Sequence, residues 1–248
     1  MTAPHSIVTY NLAGRVALIP GGLGGLGSAV SQAFVEAGAT VITAGASESP
    51  AELDALQTAL GVDGERLSYQ RADAGQEADV EALVWSVVEQ HHRLDILVNL
   101  IGGWSAGQPV TALELSTWQK MFDLNLRTAF LLAKHAAHPM TQQNWGRILH
   151  VSSRTARSGR RNAAAYAISK NAVINLAEIQ AEELREARIT VNAILPSIID
   201  TPANRASMPN VDFSRWPKAE EVARVLLFLA SDDAKLISGA AIPVYGLA

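Results

Sequence analysis

No cysteine occurs among the 248 residues of the sequence. That excludes disulfides, thiolate nucleophiles and cysteine-ligated zinc, and it suits a reducing compartment such as the cytoplasm. A surplus of basic charge is also missing: 20 Lys and Arg face 24 Asp and Glu, for a net charge of −4. Nucleic-acid binding needs a basic field to displace counterions, so no nucleic-acid partner is expected. No apolar run approaches the roughly 20 residues that a membrane helix requires. Residues 1–11 lack a basic segment followed by an apolar one, so no signal peptide is expected either. What is present is a globular composition, 48% apolar and 18% charged, from which one domain over 1–248 is expected.

Short apolar runs alternate with amphipathic ones. Strands are expected at 15–19, 40–44, 67–70, 95–100, 147–152, 189–195 and 241–245. Most are rich in Val, Ile and Leu with little alternation, as in strands covered on both faces. Helical patterns lie between them, at 25–37, 51–60, 77–91, 116–140, 163–186 and 219–230. Alternation of this kind implies βαβ units: an α/β fold, a Rossmann-type doubly wound parallel sheet of about seven strands with helices on both faces. The stretch 197–217, which holds Pro202, Pro209 and Pro217, reads as irregular and as a lid or substrate segment.

The first strand runs into Pro20-Gly21-Gly22-Leu23-Gly24-Gly25-Leu26-Gly27 and then a helix. Such a turn lets backbone approach a pyrophosphate with no Cβ in the way, and the helix N-terminus adds N–H groups and its dipole. Further on, Tyr166 and Lys170 stand four residues apart on one face of a helix, where an ammonium would stabilise a phenolate. Ser153 lies just past a strand's carboxyl end, placed to hold a carbonyl oxygen. Asn125 is a poor helix former inside an apolar helical stretch.

In this combination the chain resembles the classical short-chain dehydrogenase/reductase family over essentially its whole length, and within it the members annotated around 3-oxoacyl-carrier-protein reduction. The resemblance implies an NAD(P)-dependent oxidoreductase that transfers a hydride between nicotinamide and a carbonyl or secondary alcohol. It implies that Tyr166 is the general acid/base, Ser153 binds the reacting oxygen, and Lys170 binds the nicotinamide ribose and lowers the tyrosine pKa, while Asn125 holds a water in a proton relay. The dinucleotide would lie on Gly21, Gly22, Gly24, Gly25, Leu26 and Gly27, with Asp73 and Ala74 at the adenine and Asn99, Ile101 and Gly102 in the loop beneath. Pro196, Ile199 and Thr201 would flank the nicotinamide, together with Tyr166 and Lys170. Four departures alter the scaffold without removing a catalytic group. Pro20 replaces a threonine, Leu100-Ile101 replace Asn-Ala, Ser197 replaces a glycine, and Tyr245-Gly246-Leu247 replace Asp-Gly-Gly.

The end of the second strand is Gly45, where a carboxylate would favour NAD, and neither Gly24 nor Ala46 is an arginine that would favour NADP. Ser47 and Ser49 either bond a 2′-phosphate or shape a turn, so the cofactor is NADP or NAD, with NADP favoured. Arg154, Arg157, Arg160 and Arg161 follow Ser153 and either grip an anionic substrate or form a solvated loop. Trp104, Phe213 and Trp216 either wall the cleft or pack beneath the lid. His135 and His138 share a helix face without a third ligand, so no metal is expected, and His150 reads as a satisfied packing residue. Two alternatives stand beside the reductase: a catalytically silent NAD(P)-binding regulator, and a pterin or imine reductase. The resemblance also implies a homotetramer, or a dimer, built on the long helices.

Overall fold

The computed structural model describes residues 10–247; residues 1–9, most of the segment in which no leader pattern was read, and residue 248 lie outside the described residues. Seven strands form one sheet: β1 (Val16–Pro20), β2 (Thr40–Gly45), β3 (Leu67–Arg71), β4 (Ile96–Asn99), β5 (Gly146–Val151), β6 (Ile189–Pro196) and β7 (Ala241–Val244). Each lies within one residue of its expected bounds at either end. All pairings are parallel, in the order β3-β2-β1-β4-β5-β6-β7. β1, β4 and β6 are buried at every residue, which explains why their sequences run apolar instead of alternating. Pro243 is accommodated because β7 is an edge strand.

The helices are α1 (Gly27–Glu36), α2 (Pro50–Leu60), α3 (Glu77–His91), α4 (Leu115–Phe122), α5 (Thr128–Gln142), α6 (Thr155–Ser158), α7 (Ala164–Glu183), α8 (Pro202–Ser207) and α9 (Ala219–Ala230). Two apolar layers follow. Val30 and Phe34 of α1 pack with Leu226 and Leu229 of α9, with α2 at the margin, on one face of the sheet. Val80 and Leu83 of α3, Leu132 of α5 and Ile174 of α7 fill the other. Burial of these side chains is the main term holding the layers together, at roughly 25 cal/mol per Å² of apolar surface.

Because the sheet is parallel, every strand's carboxyl end lies on one edge. The chain leaves the centre by β1, winds outward to β3, then returns to β4 beside β1. The connections depart in opposite directions there, opening a crevice above β1 and β4.

Two elements differ from expectation. The single helix expected over 116–140 is α4, a π turn over Asp123–Arg127, and α5. The segment 197–217 is not wholly irregular. Thr201 caps α8, its Oγ1 accepting from the Asn204 N–H at 3.3 Å, Pro202 takes the first turn, and a 3₁₀ turn follows at Phe213–Arg215. A capping hydroxyl followed by proline is a helix start, and it overrides the breaker content of the stretch.

Candidate active site

The glycine turn follows β1 directly, at the crevice. Gly21 has φ +82°, and its N–H donates to the Ala44 carbonyl at 2.8 Å, tying the turn to β2. A Cβ on Gly22 would lie 2.5 Å from the Thr43 methyl, and one on Gly27 would lie 2.0 Å from the Gly21 carbonyl. Those two glycines let α1 close on the strand. Gly24 and Gly25 are exposed and sterically free of the core: a Cβ on Gly25 would meet only Thr201, at 3.2 Å. Gly24 and Gly25 thus face the crevice opposite the 197–217 segment. No side chain caps the first N–H groups of α1, beside Leu26. A cradle lined by backbone and a helix N-terminus, with no Cβ intruding, fits the pyrophosphate of a dinucleotide.

The candidate catalytic residues assemble around the ends of β4 and β5. Asn125 sits on the π turn, a feature that often marks functional sites, and is buried. Its Oδ1 accepts from Gly103 N–H at 2.9 Å, and its Nδ2 donates to the Gly103 carbonyl at 3.2 Å and to Ser169 Oγ at 3.0 Å. Lys170 is buried on α7, and its Nζ donates to the Val151 carbonyl at 2.7 Å. With no carboxylate paired to it among the described residues, burial pulls its ammonium down to about 8. Gly102 separates these two groups: a Cβ there would lie 2.8 Å from Lys170 Nζ and 2.9 Å from Asn125 Oδ1. Tyr166 stands one helical turn before Lys170, with the Ser153 hydroxyl beside its phenol. Burial pushes the phenol above its ordinary range, and the Ser153 hydrogen bond opposes this. The expected lowering by Lys170 does not appear, because burial dominates at Tyr166 and the ammonium is turned to Val151.

The remaining expected residues line the same edge. Asn99 ends β4 and accepts from Ile101 N–H at 3.0 Å, fixing the loop that presents Gly102. Asp73 follows β3, exposed and accepting from Gly75 N–H at 2.9 Å, with Ala74 buried next to it. Pro196 ends β6; Ile199 and Thr201 lie at the foot of α8, on the far side of the crevice from Gly25.

All four departures take part in contacts at the crevice edge. The Pro20 carbonyl accepts from Leu100 N–H at 3.1 Å, so β1 and the loop after β4 remain joined. Ser197 Oγ donates to the Tyr245 carbonyl at 2.7 Å, and Leu247 N–H donates to the Arg215 carbonyl at 3.1 Å. The chain's last described residues are thereby laced to 197–217.

The arginines separate by role. Arg154 lies over the Tyr245 ring, 5.3 Å from its centroid, and Arg157 pairs with Glu178 at 3.4 Å. The Arg160 guanidinium lies over the Trp104 ring, 5.2 Å from its centroid, and Trp104 presents an edge contact to Tyr166, with centroids 4.5 Å apart. Of the three aromatics, only Trp104 stands at the catalytic group. Phe213 and Trp216 pack on each other at 5.0 Å, with Trp216 buried. His150 is buried and is only half satisfied: Nε2 meets Gln180 Oε1 at 3.4 Å, while Nδ1 has no partner among the described residues. That corrects its reading as a satisfied core residue.

Two residues escaped the sequence reading. Tyr69 and Arg71 alternate on β3, and Arg71 is the register partner of Gly45. The Tyr69 hydroxyl donates to the carbonyls of Gly45, at 3.0 Å, and Ser47. Arg71 Nε donates to the Ala46 carbonyl at 3.1 Å, and its guanidinium lies 3.9 Å from Glu48. A cation therefore reaches the end of β2 from the neighbouring strand. Its position as the last residue of an alternating strand was the available signal.

A family model described as enoyl-(acyl carrier protein) reductase matches residues 21–246. The chain is 32% identical to a 3-oxoacyl-acyl-carrier-protein reductase of Thermotoga maritima, over 95% of this chain and 98% of that one. It is also 32% identical to a cis-4-hydroxycyclohexanecarboxylate dehydrogenase of Sinomonas cyclohexanicum, over 94% and 95% respectively. Among solved structures, a short-chain type dehydrogenase/reductase from Mycobacterium ulcerans matches with a TM-score of 0.88 at 30% identity, covering 97% of this chain and 90% of that one. ElxO with NADP bound matches with a TM-score of 0.86 at 26% identity, covering 94% and 97%. Sheet order, the glycine cradle and these likenesses converge, and the chain belongs to the short-chain dehydrogenase/reductase family, the NAD(P)-dependent oxidoreductases that move a hydride between a nicotinamide and a carbonyl or alcohol carbon.

Proposed function

We propose that this protein reduces a small carbonyl compound, and oxidises the corresponding secondary alcohol, with Tyr166 as the group that exchanges the proton on oxygen. The observation that carries this is the convergence of Ser153, Tyr166, Lys170 and Asn125 on one crevice at the sheet's switch point. NAD(P)H bound there supplies the hydride to the carbonyl carbon. The chain's own residues handle the oxygen. Ser153 and Tyr166 hydroxyls hold it, and as the carbonyl's π electrons move onto oxygen the phenol donates its proton. A phenol held above its ordinary range by burial is protonated at neutral pH, which suits the reductive direction. Lys170, its ammonium held by the Val151 carbonyl one helical turn beyond Tyr166, would hold the nicotinamide ribose, and Asn125 fixes the Gly103 backbone beside it. A silent regulator would need none of these groups, and the relatives are named reductases and dehydrogenases.

NADP is the favoured cofactor: Gly45 offers no carboxylate to repel a 2′-phosphate, and Arg71 and Ser47 stand at that position. The 197–217 segment acts as a lid over the nicotinamide end. A homotetramer, or else a dimer, is supported by Phe130 on α5 and Ile168 and Ile179 on α7, which are nearly half exposed, and the absence of cysteine suits the cytoplasm.

The test is Tyr166→Phe, with NADPH binding followed by its fluorescence. Ketone reduction should fall by about 100-fold or more, the scale of general acid catalysis, while NADPH affinity stays within about threefold. Retained turnover discards the role.

A further inference from the structure

Trp104 is mounted rigidly over the catalytic tyrosine. Gly103, before it, is clamped by both ends of the Asn125 amide, at 2.9 and 3.2 Å. Gly107, after it, donates to the Asn162 carbonyl at 2.8 Å, which fastens this loop to the arginine-bearing segment. Asn162 holds φ +63°, and Ala163 N–H closes back on the Arg160 carbonyl at 3.2 Å, so the backbone carrying Arg160 is itself a fixed turn. The indole, half exposed, forms one wall of the space above Tyr166, and the Arg160 guanidinium lies on that wall.

A guanidinium held over a ring face still offers N–H groups to a bidentate acceptor. Arg157 is neutralised by Glu178, whereas no carboxylate pairs with Arg160 among the described residues. A cation without a counter-ion, held beside the proton donor through one intervening ring, is arranged for an anion carried by the substrate.

We propose that Trp104 and Arg160 form the specificity wall of the site, and that the preferred substrate is a ketone bearing a carboxylate one ring width from its carbonyl. The indole covers the apolar body between the two groups, and Arg160 takes the carboxylate. This deepens the reductase reading and rests on it. Among the four arginines after Ser153 it assigns the anion to Arg160, which lies over Trp104, whereas Arg154 lies over Tyr245.

Two measurements test it. In the first, cyclohexanecarboxylate and cyclohexanecarboxamide are titrated against the NADPH-loaded protein by tryptophan fluorescence, with Trp104→Leu as the control for which indole reports. The acid should bind at least tenfold more tightly than the amide, and Arg160→Ala should abolish the difference. Equal binding of acid and amide by the wild-type protein overturns the proposal without turnover being needed. In the second, 4-oxocyclohexanecarboxylate and its methyl ester are compared as substrates. Arg160→Ala should raise KM for the acid at least tenfold and leave the ester unchanged, kcat being preserved for both; Arg160→Lys should recover part of the loss. Equal changes for acid and ester would mean that Arg160 only props the indole, and the proposal falls. Absence of reduction of either ketone, with the acid still preferred in the binding arm, would count against the reductase reading and not against the anion wall.

Discussion

Gly45 and Arg71 are partners across the β2–β3 ladder, and that register brings the Arg71 cation to the loop where an adenosine ribose would end. Among the described residues the carboxylate paired with it is Glu48, at 3.9 Å, with both side chains mostly exposed. Such a pair contributes little, so a doubly charged phosphate displaces it readily. Arg71→Ala should raise KM for NADPH about tenfold, the low end for a charge-assisted hydrogen bond because the site is exposed, and leave KM for NADH unchanged. Steady-state kinetics with each cofactor check this; an equal rise for both would show that Arg71 only supports the loop through Ala46. The same residue shows where sequence reading stops. Ser153, Tyr166 and Lys170 stand out as candidates in the sequence because their spacing along the chain is itself the signal. Arg71 acts on a loop some two dozen positions away, and only strand pairing discloses it. Arg160 was visible as one of four arginines, but choosing among the four required knowing that Trp104 lies beneath it.

Among elements, β1, β4 and β6 were read nearly to the residue because burial on both faces imposes short, uninterrupted apolar runs. The π turn was not read. Its cause is tertiary: the Asn125 amide bonds Gly103 and Ser169, and the helix widens to deliver it. The proposed lid shows the reverse, since the Thr201-Pro202 start of α8 was present in the sequence and outweighed by proline count. This lid is fastened at its base. Asp200 N–H donates to the Pro217 carbonyl at 2.9 Å, and Arg205 reaches back from α8 with bonds of 2.5 and 2.7 Å to the Asp200 carboxylate. That pairing holds the carboxyl below its usual range. Asp200→Asn removes the charge but not the backbone tie. Trypsin should then cleave after Arg205 several times faster, KM for the ketone should rise, and the melting temperature should move by no more than about 2–4 °C, the shift expected for a change of about 1 kcal/mol in a chain this long. Limited proteolysis with mass detection measures the first effect; unchanged cleavage would show that the ion pair does not restrain the segment.

At the scale of the whole molecule, the position of His150 matters more than its neighbours in sequence. It lies in β5, inside the sheet, buried, with Gln180 of α7 at Nε2, no partner at Nδ1 among the described residues, and the Lys170 charge acting on it from the same helix. Burial, and more weakly Lys170, lower its pKa to about 4, whereas the unfolded chain titrates at its ordinary value of 6.5. Above about 6.5 the imidazole is neutral in both states and costs the fold nothing. As pH falls from about 6.5 to about 4 the unfolded chain takes up a proton that the fold refuses, so stability drops, by roughly 3 kcal/mol across that window. Lys170, lowered to about 8 by burial, works in a separate window: the unfolded chain holds the extra proton between about 8 and 10.5, so stability rises with pH there. Denaturant midpoints measured from pH 7.5 down to 4.5 should therefore fall in the wild-type protein. His150→Leu, which leaves Gln180 without its partner and so lowers stability at pH 7.5, should flatten the decline at acid pH while leaving the rise above pH 8 in place. A variant whose midpoint falls as steeply as the wild type between pH 6.5 and 4.5 would assign the acid sensitivity to the surface carboxylates, and the buried histidine would then carry no share of it.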